Sequence, residues 1–125
     1  MNTNELKNIA ENLNGAVETA GKKSIKIYKQ GLKIKIKEDG SPVTNGDIEV
    51  NKIITDKIKI LTPNIPIVSE ETVDLTKKNK FETYWLIDPI DGTKEYISGK
   101  DEYTLNAGLI INKTPALGVI GVPKK

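Results

Sequence analysis

The stretch Trp85-Leu86-Ile87-Asp88-Pro89-Ile90-Asp91-Gly92-Thr93-Lys94-Glu95 constrains this chain more than any other. Tyr84 to Ile87 is a short apolar run of the kind that forms a buried strand. Pro89 has no backbone donor, so the ladder is expected to stop and the chain to leave the sheet at Asp88. Gly92 permits a tight turn, and Thr93 to Ser98 is expected to form a short helix closed by Gly99. Asp88 and Asp91, three residues apart at the strand's carboxyl end, make a compact anionic cup. Carboxylate and carbonyl oxygens are the ligands that a hard cation such as Mg²⁺ selects. The amides of Gly92 and Thr93 would open the helix, where a phosphate settles. Side by side, these features suggest metal-assisted phosphoryl chemistry. Helix capping would explain Asp91 taken singly, but it does not explain Asp88, whose partial burial has to be offset by a partner. An EF-hand loop is excluded by the spacing of the acids and the lack of a closing Glu.

The rest of the chain supplies the layers. Asn2 with Glu5 resembles a capping box, and Leu6, Ile9, Ala10, Leu13, Ala16, Val17 and Ala20 follow at helical spacing. This predicts a helix to about Tyr28, ended by Gly31, with a packing role. Leu32 to Lys37 alternates strictly, predicting a half-buried strand with a lysine face. Lys35 and Lys37 are candidates to lie near an anionic site. Glu38 to Pro42 is turn chemistry. Thr44 caps a second helix carrying Val50, Ile53, Ile54, Ile58 and Leu61, and Thr62-Pro63-Asn64 ends it. On spacing alone, capping and the helix dipole account for Asp47. Ile65 to Val68 is a short strand that ends in Ser69-Glu70-Glu71. Adjacent acids there favour solvent or a cation. Val73 to Lys80 is a polar connector. Thr104 to Ile111 and Ala116 to Val122 form a hairpin joined at Asn112 to Pro115. Its Gly108, Gly118 and Gly121 suggest close approach by a neighbouring helix or chain.

Composition narrows the chemistry by what is missing. The 125 residues include no Cys and no His, which excludes thiolate and Ser-His nucleophiles, disulfides and most zinc sites. All 19 basic residues are Lys, so no guanidinium fork can clamp a phosphate. Phosphoryl chemistry must therefore use carboxylates, metal ions, hydroxyls, Lys and backbone amides. A net charge of +2 is too small to argue for a nucleic-acid partner, and none is expected. No apolar run reaches membrane-spanning length and the first twenty residues lack a signal-peptide core, so a cytoplasmic protein without a membrane partner is expected.

The motif Asp88-Pro89-Ile90-Asp91-Gly92-Thr93 resembles the signature of the inositol monophosphatase superfamily, Mg²⁺-dependent and lithium-sensitive phosphatases. The continuation Lys94-Glu95-Tyr96-Ile97 is similar to its 3'(2'),5'-bisphosphate nucleotidase branch. The resemblance implies a layered α/β sandwich of the inositol monophosphatase/fructose-1,6-bisphosphatase type, with two amino-terminal helices and a mainly antiparallel sheet. Residues 1–125 would be the amino-terminal metal- and phosphate-binding domain, with the carboxy-terminal half absent. The implied reaction hydrolyses a small phosphate ester, adenosine 3',5'-bisphosphate, to AMP and phosphate by in-line attack of metal-bound water. Two or more Mg²⁺ ions would take part, two of them ~3.5–4 Å apart. Asp88 would bridge them, with Glu70 and the Ile90 carbonyl on the first and Asp91 on the second. Glu71 is a less certain neighbour. By the same resemblance Asp47 pairs with Thr93 to orient the water, so the catalytic set is Asp47, Glu70 and Thr93. The substrate-binding set is Glu70, Ile90, Asp91, Gly92 and Thr93. An inositol-phosphate phosphatase and a catalytically inactive Mg²⁺-binding fragment are the rival expectations. Self-association into a homo-oligomer through the final hairpin is a further expectation.

Overall fold

A computed structural model of the chain describes residues 1–69 and 82–123. The first helix, α1 (Thr3–Gln30), opens as its capping pattern predicts: the Asn2 side chain accepts the Glu5 amide at 2.8 Å. It buries one stripe, Ile9, Leu13, Val17, Ala20 and Ile27, and ends two residues past Tyr28. Gly31 closes it at φ 106°, a left-handed value that favours glycine, and donates its N–H to the Tyr28 carbonyl. The strands β1 (Ile34–Ile36) and β2 (Pro42–Thr44) pair antiparallel as a separate two-stranded ribbon.

Thr44 then caps α2 (Asn45–Leu61), in which Thr44 and Asp47 form a reciprocal capping box. After it come β3 (Ile67–Ser69), β4 (Tyr84–Asp91), the five-residue α3 (Thr93–Ile97), β5 (Thr104–Ile111) and β6 (Thr114–Gly121). The main sheet has the order β3-β4-β5-β6, with β3 parallel to β4 and the other pairs antiparallel. The expected layered fold with a mainly antiparallel sheet and two amino-terminal helices is therefore the fold observed.

One face of the sheet carries the core. Register places Trp85 opposite Leu109, Ile87 opposite Ala107, and Ala107 opposite Val119. These side chains are buried against Leu13 and Val17 of α1 and Val50, Ile54 and Ile58 of α2. Each such burial is worth about 1.5–3 kcal/mol, so this helix pair on one sheet face is the main source of stability. Trp85 also donates its indole N–H to the Thr62 hydroxyl at 3.0 Å, tying β4 to the end of α2. A Cβ added to Gly121 would collide with the Val17 side chain, so α1 crosses β6 at a glycine.

Four expectations are corrected. The strand around Leu32–Lys37 is shorter than its alternation suggested and is not half-buried, for Ile36 is 68% exposed. Alternation encodes two faces but not the layer that covers one of them, and a two-stranded ribbon has none. The chain does not leave the sheet at Asp88 but stays in β4 to Asp91, through the bulge described below. The final hairpin turns at Asn112 and Lys113, at φ 50° and 65°, so β6 starts at Thr114 and includes Pro115. Of the three hairpin glycines, only Gly121 meets a helix, because a Cβ at Gly118 would meet nothing within 4 Å and Gly108 faces neighbouring carbonyls.

Candidate active site

The site begins with a miscount between two strands. Asp88 lies opposite Asn106 and Asp91 opposite Thr104, so three steps along β4 match two along β5. One extra residue on one strand is a β-bulge, and Pro89, which cannot donate to a ladder, falls inside it. In a regular strand, residues three apart point to opposite faces. The bulge cancels that alternation and puts Asp88 and Asp91 on the face shared by Asn106 and Thr104. That face lies opposite the helices, since Leu105 and Ala107 between them are in the core. The Asn106 amide donates to the Thr104 hydroxyl at 3.0 Å, which confirms that the two share a side.

Asp88 is half-buried and Asp91 exposed. Pro89 and Ile90 have no partner in the β5 register, and the Ile90 carbonyl lies 3.3 Å from the Thr93 hydroxyl. The oxygens of this stretch, two carboxylates and a backbone carbonyl, are hard donors of the kind that suit a small divalent cation. Among the described residues, no group of three or more acidic, His or Cys side chains converges on one point. Glu70 and Glu71, expected at this place, lie outside the described residues.

Gly92 turns the chain at φ 99° and caps α3. A Cβ there would lie 3.0 Å from the Glu102 carbonyl and 3.3 Å from the Tyr103 side chain. Any other residue would thus be strained and crowded. The turn delivers Thr93 to Asp47, 46 residues earlier in the chain. The Thr93 hydroxyl donates to Asp47 Oδ1 at 3.0 Å and also lies 3.3 Å from the Ile90 carbonyl. Asp47 is 1% exposed, and its other oxygen, Oδ2, accepts from the Thr44 amide at 2.8 Å and from the Thr44 hydroxyl at 2.6 Å. Capping and the link to Thr93 thus use different oxygens of one side chain.

Tyr96 holds this arrangement from below. Its hydroxyl donates to the Ser24 carbonyl of α1 at 2.7 Å, and its ring meets Tyr103 edge-on with centroids 4.9 Å apart. Gly46, beside Asp47, faces that ring without a side chain between them. Burial, then the neighbouring Tyr103 and Asp47, push the Tyr96 pKa up beyond the ordinary phenol range. Burial raises Tyr103 as well, partly offset by its hydrogen bond with Ser24.

A cleft of 270 Å³ opens in front of Thr93, between Lys37, Ser41 and Pro42 on the ribbon side and Thr93, Lys94 and Glu95 on the other. Ile90 and Gly92 complete its lining, whereas Asp88 and Asp91 do not line it. Of the expected site residues, Asp47, Ile90, Gly92 and Thr93 are therefore gathered around one turn. Asp88 and Asp91 share the neighbouring sheet face. Of the two candidate lysines, Lys37 reaches the cleft and Lys35 is not part of its lining. Lys94, Asn106 and Thr104 were missed. The alternation Thr104-Leu105-Asn106-Ala107 carried the signal for the last two, because it puts both polar side chains opposite the core.

A bulged strand end feeding a buried Asp–Thr pair, on a sheet backed by two helices, defines a layered α/β domain with a cluster of oxygen groups at one strand end. The sequence profile of the inositol monophosphatase family matches residues 5–125. The chain belongs to the inositol monophosphatase family. It is 39% identical over 99 residues to the 3'(2'),5'-bisphosphate nucleotidase CysQ of Aggregatibacter actinomycetemcomitans, a match covering 78% of this chain and 37% of that protein. The crystal structure of CysQ from Bacteroides thetaiotaomicron superposes with a TM-score of 0.69 at 34% identity, over 92% of this chain and 41% of the other. A staphylococcal inositol monophosphatase-1 shares the fold at a TM-score of 0.82 and 18% identity, over 94% and 45% of the two chains. The chain thus spans less than half the length of these relatives.

Proposed function

We propose that residues 1–125 are the amino-terminal metal- and phosphate-binding domain of a Mg²⁺-dependent 3'(2'),5'-bisphosphate nucleotidase. The observation that carries this reading is the hydrogen bond from Thr93 to Asp47 Oδ1, made while the helix cap is satisfied by Oδ2. With its proton committed to Asp47, the Thr93 hydroxyl offers lone pairs to a water above the cleft and can hold it for attack on phosphorus. Attack forms a new P–O bond to water and breaks the ester P–O bond, releasing AMP and phosphate from adenosine 3',5'-bisphosphate. The Gly92 and Thr93 amides bind phosphoryl oxygens at the turn. Asp88, Asp91 and the Ile90 carbonyl, joined by Glu70, would hold Mg²⁺. Bound there, Mg²⁺ would supply charge neutralisation of the phosphoryl group.

Identity to nucleotidases over most of this chain favours a bisphosphate over an inositol phosphate. The remaining metal ligand and the nucleoside wall come, on this reading, from the portion of the relatives beyond the match. The chain alone should therefore turn over little or no substrate. Lithium inhibition and a cytoplasmic location belong to the same proposal. Among the described residues, no helix is long and apolar enough to cross a membrane.

The test is a chimera joining this chain to the carboxy-terminal part of the Aggregatibacter protein, assayed on adenosine 3',5'-bisphosphate and inositol 1-phosphate with Mg²⁺. Faster hydrolysis of the bisphosphate supports the proposal. A preference for the inositol ester would reassign the substrate. A folded chimera that binds Mg²⁺ without turning over either ester would favour an inactive metal-binding domain.

A further inference from the structure

The sheet face away from the helices changes character along its strands. Leu86, Gly108 and Gly118 stand in one row across β4, β5 and β6, and Ile120 of β6 is 67% exposed. On β5 this face runs Thr104, Asn106, Gly108, Ile110, so only its first two positions are polar. Those two are the residues that register sets opposite Asp91 and Asp88. A face that was polar only because it meets solvent would carry polar groups along its whole length. Here they stop with the two rows that hold the acids, so the acids account for them.

Asn106 is fixed from one side. Its amide donates one N–H to the Thr104 hydroxyl at 3.0 Å, two residues back on the same face. The amide nitrogen carries a second N–H that diverges from the first. Across the sheet, the neighbours of half-buried Asn106 are Asp88 on β4 and Ile120 on β6. Residues directly opposite in an antiparallel pair have Cβ atoms about 4.5–5.5 Å apart, within reach of each other's polar ends. Of the two neighbouring side chains only Asp88 has an acceptor. Asp47 shows how a carboxylate in this site is aimed: the Thr44 cap holds one oxygen, which directs the other at Thr93. A carboxylate that ligates a cation gains from the same treatment, because an outer partner removes the rotations that would spread its free oxygen over several positions.

We propose that Asn106 is the positioning residue of Asp88. Its second N–H takes one Asp88 oxygen when the other turns to a cation, and Thr104 keeps the amide in place. Asn106 is neutral, so it orients the carboxylate without competing with the cation for its charge. The inference rests on the cation-binding part of the reading above.

The test is cation affinity measured on the 125-residue chain itself, from the backbone amide shifts of Asp88 and Asp91 at constant ionic strength. Removing a partner that orients a metal ligand typically costs about 10–100-fold in affinity, and Asn106→Leu should weaken Mg²⁺ binding about tenfold. Mg²⁺ demands near-ideal octahedral geometry, whereas Ca²⁺ accepts irregular ligation. Lost orientation should therefore cost Mg²⁺ more than Ca²⁺, and Asn106→Leu should lower the ratio of the two affinities. Thr104→Val should move the ratio the same way by less. Ile120→Thr, at the other neighbour of Asn106, should leave it unchanged. Asn106→Leu adds an apolar group to an apolar stretch of the face, so the metal-free chain should unfold at the parent's midpoint or above. An unaltered Mg²⁺ affinity, or equal loss of both cations, overturns the positioning role. A lower metal-free midpoint would assign Asn106 to the fold and overturn it too. If the parent and Asp88→Asn bind Mg²⁺ alike, the cation site itself falls and the inference with it. If Asp88→Asn weakens Mg²⁺ binding and Asn106→Leu does not, the site stands and the inference alone fails.

Discussion

Two glycine-to-alanine changes in helices should move stability in opposite directions. Gly15 lies on the exposed face of α1, and a Cβ there would meet nothing within 4 Å. Gly15→Ala should gain up to about 1 kcal/mol from helix propensity alone. Gly46 lies in the first turn of α2, where a Cβ would stand 2.7 and 2.8 Å from Tyr96 Cε2 and Cζ. Tyr96 has no room to move, because it is 1% exposed, packed edge-on against Tyr103 and bonded to the Ser24 carbonyl. Overpacking costs about 1–3 kcal/mol. Pulling a buried hydroxyl off its acceptor adds about 1–3 kcal/mol. Against at most about 1 kcal/mol of propensity gain, Gly46→Ala should lose about 1–5 kcal/mol. Denaturant unfolding of both variants measures this directly. The Tyr96 amide, which donates to the Gly92 carbonyl at 3.0 Å in the first turn of α3, should also exchange faster in Gly46→Ala, because the Tyr96 side chain holds that helix down. Gly46→Ala as stable as the parent, or stabilised like Gly15→Ala, would refute the claim that Tyr96 clamps α3 to α2.

Mg²⁺ should raise the thermal midpoint of the chain, since it relieves repulsion between Asp88 and Asp91, and at ten times Kd it contributes about 1.4 kcal/mol. A midpoint unchanged by millimolar Mg²⁺, with Ca²⁺ and Na⁺ as controls, would count against the cation site. Asp88→Asn in the chimera should cut turnover by several orders of magnitude while circular dichroism stays unchanged, and near-normal turnover would exclude Asp88 as a bridging ligand. Tyr96 and Tyr103 titrate higher in the folded chain than the 10.0 of a free phenol. Their neutral forms are thus favoured by folding, and stability should be flat below pH 10 and fall as pH rises above it, where only the unfolded chain ionises. An equal fall in a Tyr96→Phe, Tyr103→Phe double variant would assign the effect elsewhere. Thr93→Val keeps the Thr44–Asp47 cap and removes one donor to Asp47, so it should lower chimera turnover far more than stability. A stability loss as large as that of Asp47→Asn would make the Thr93 bond structural.

Legibility in the sequence followed the range of each interaction. The caps at Asn2–Glu5 and Thr44–Asp47 lie within one helical turn, and both were readable from residue type and spacing. So were the core stripe of α1 and the turn at Gly92. The bulge was not, because it is a relation between β4 and β5. From β4 alone, Pro89 could only be read as a stop. The missed bulge also hid why acids three residues apart can act together, which needs register information from Asn106 and Thr104. Burial of Ile34 and Ile36 failed for a related reason, since no pattern within a strand states whether another layer covers it. The Asp47–Thr93 contact spans 46 residues. Spacing alone made Asp47 a cap, and only likeness to a phosphatase family linked it to Thr93.

That pairing also resolves what looked like a choice between two roles for Asp47. A side-chain carboxyl buried to 1% exposure is costly unless each oxygen is hydrogen-bonded. The first turn of α2 supplies what one oxygen needs, through the Thr44 amide and hydroxyl, and the helix dipole favours an acid at this end. Oδ2 is then fixed in direction, and with it the rest of the group, so Oδ1 is aimed at one point in space. The bulge and the Gly92 turn bring the Thr93 hydroxyl to that point. A free surface Asp could reach Thr93 only by giving up rotamer freedom at the moment of reaction. Here the cap has already removed that freedom during folding. The capping role is therefore what makes the Thr93 contact geometrically definite, and the site is pre-formed to the extent that α2 is.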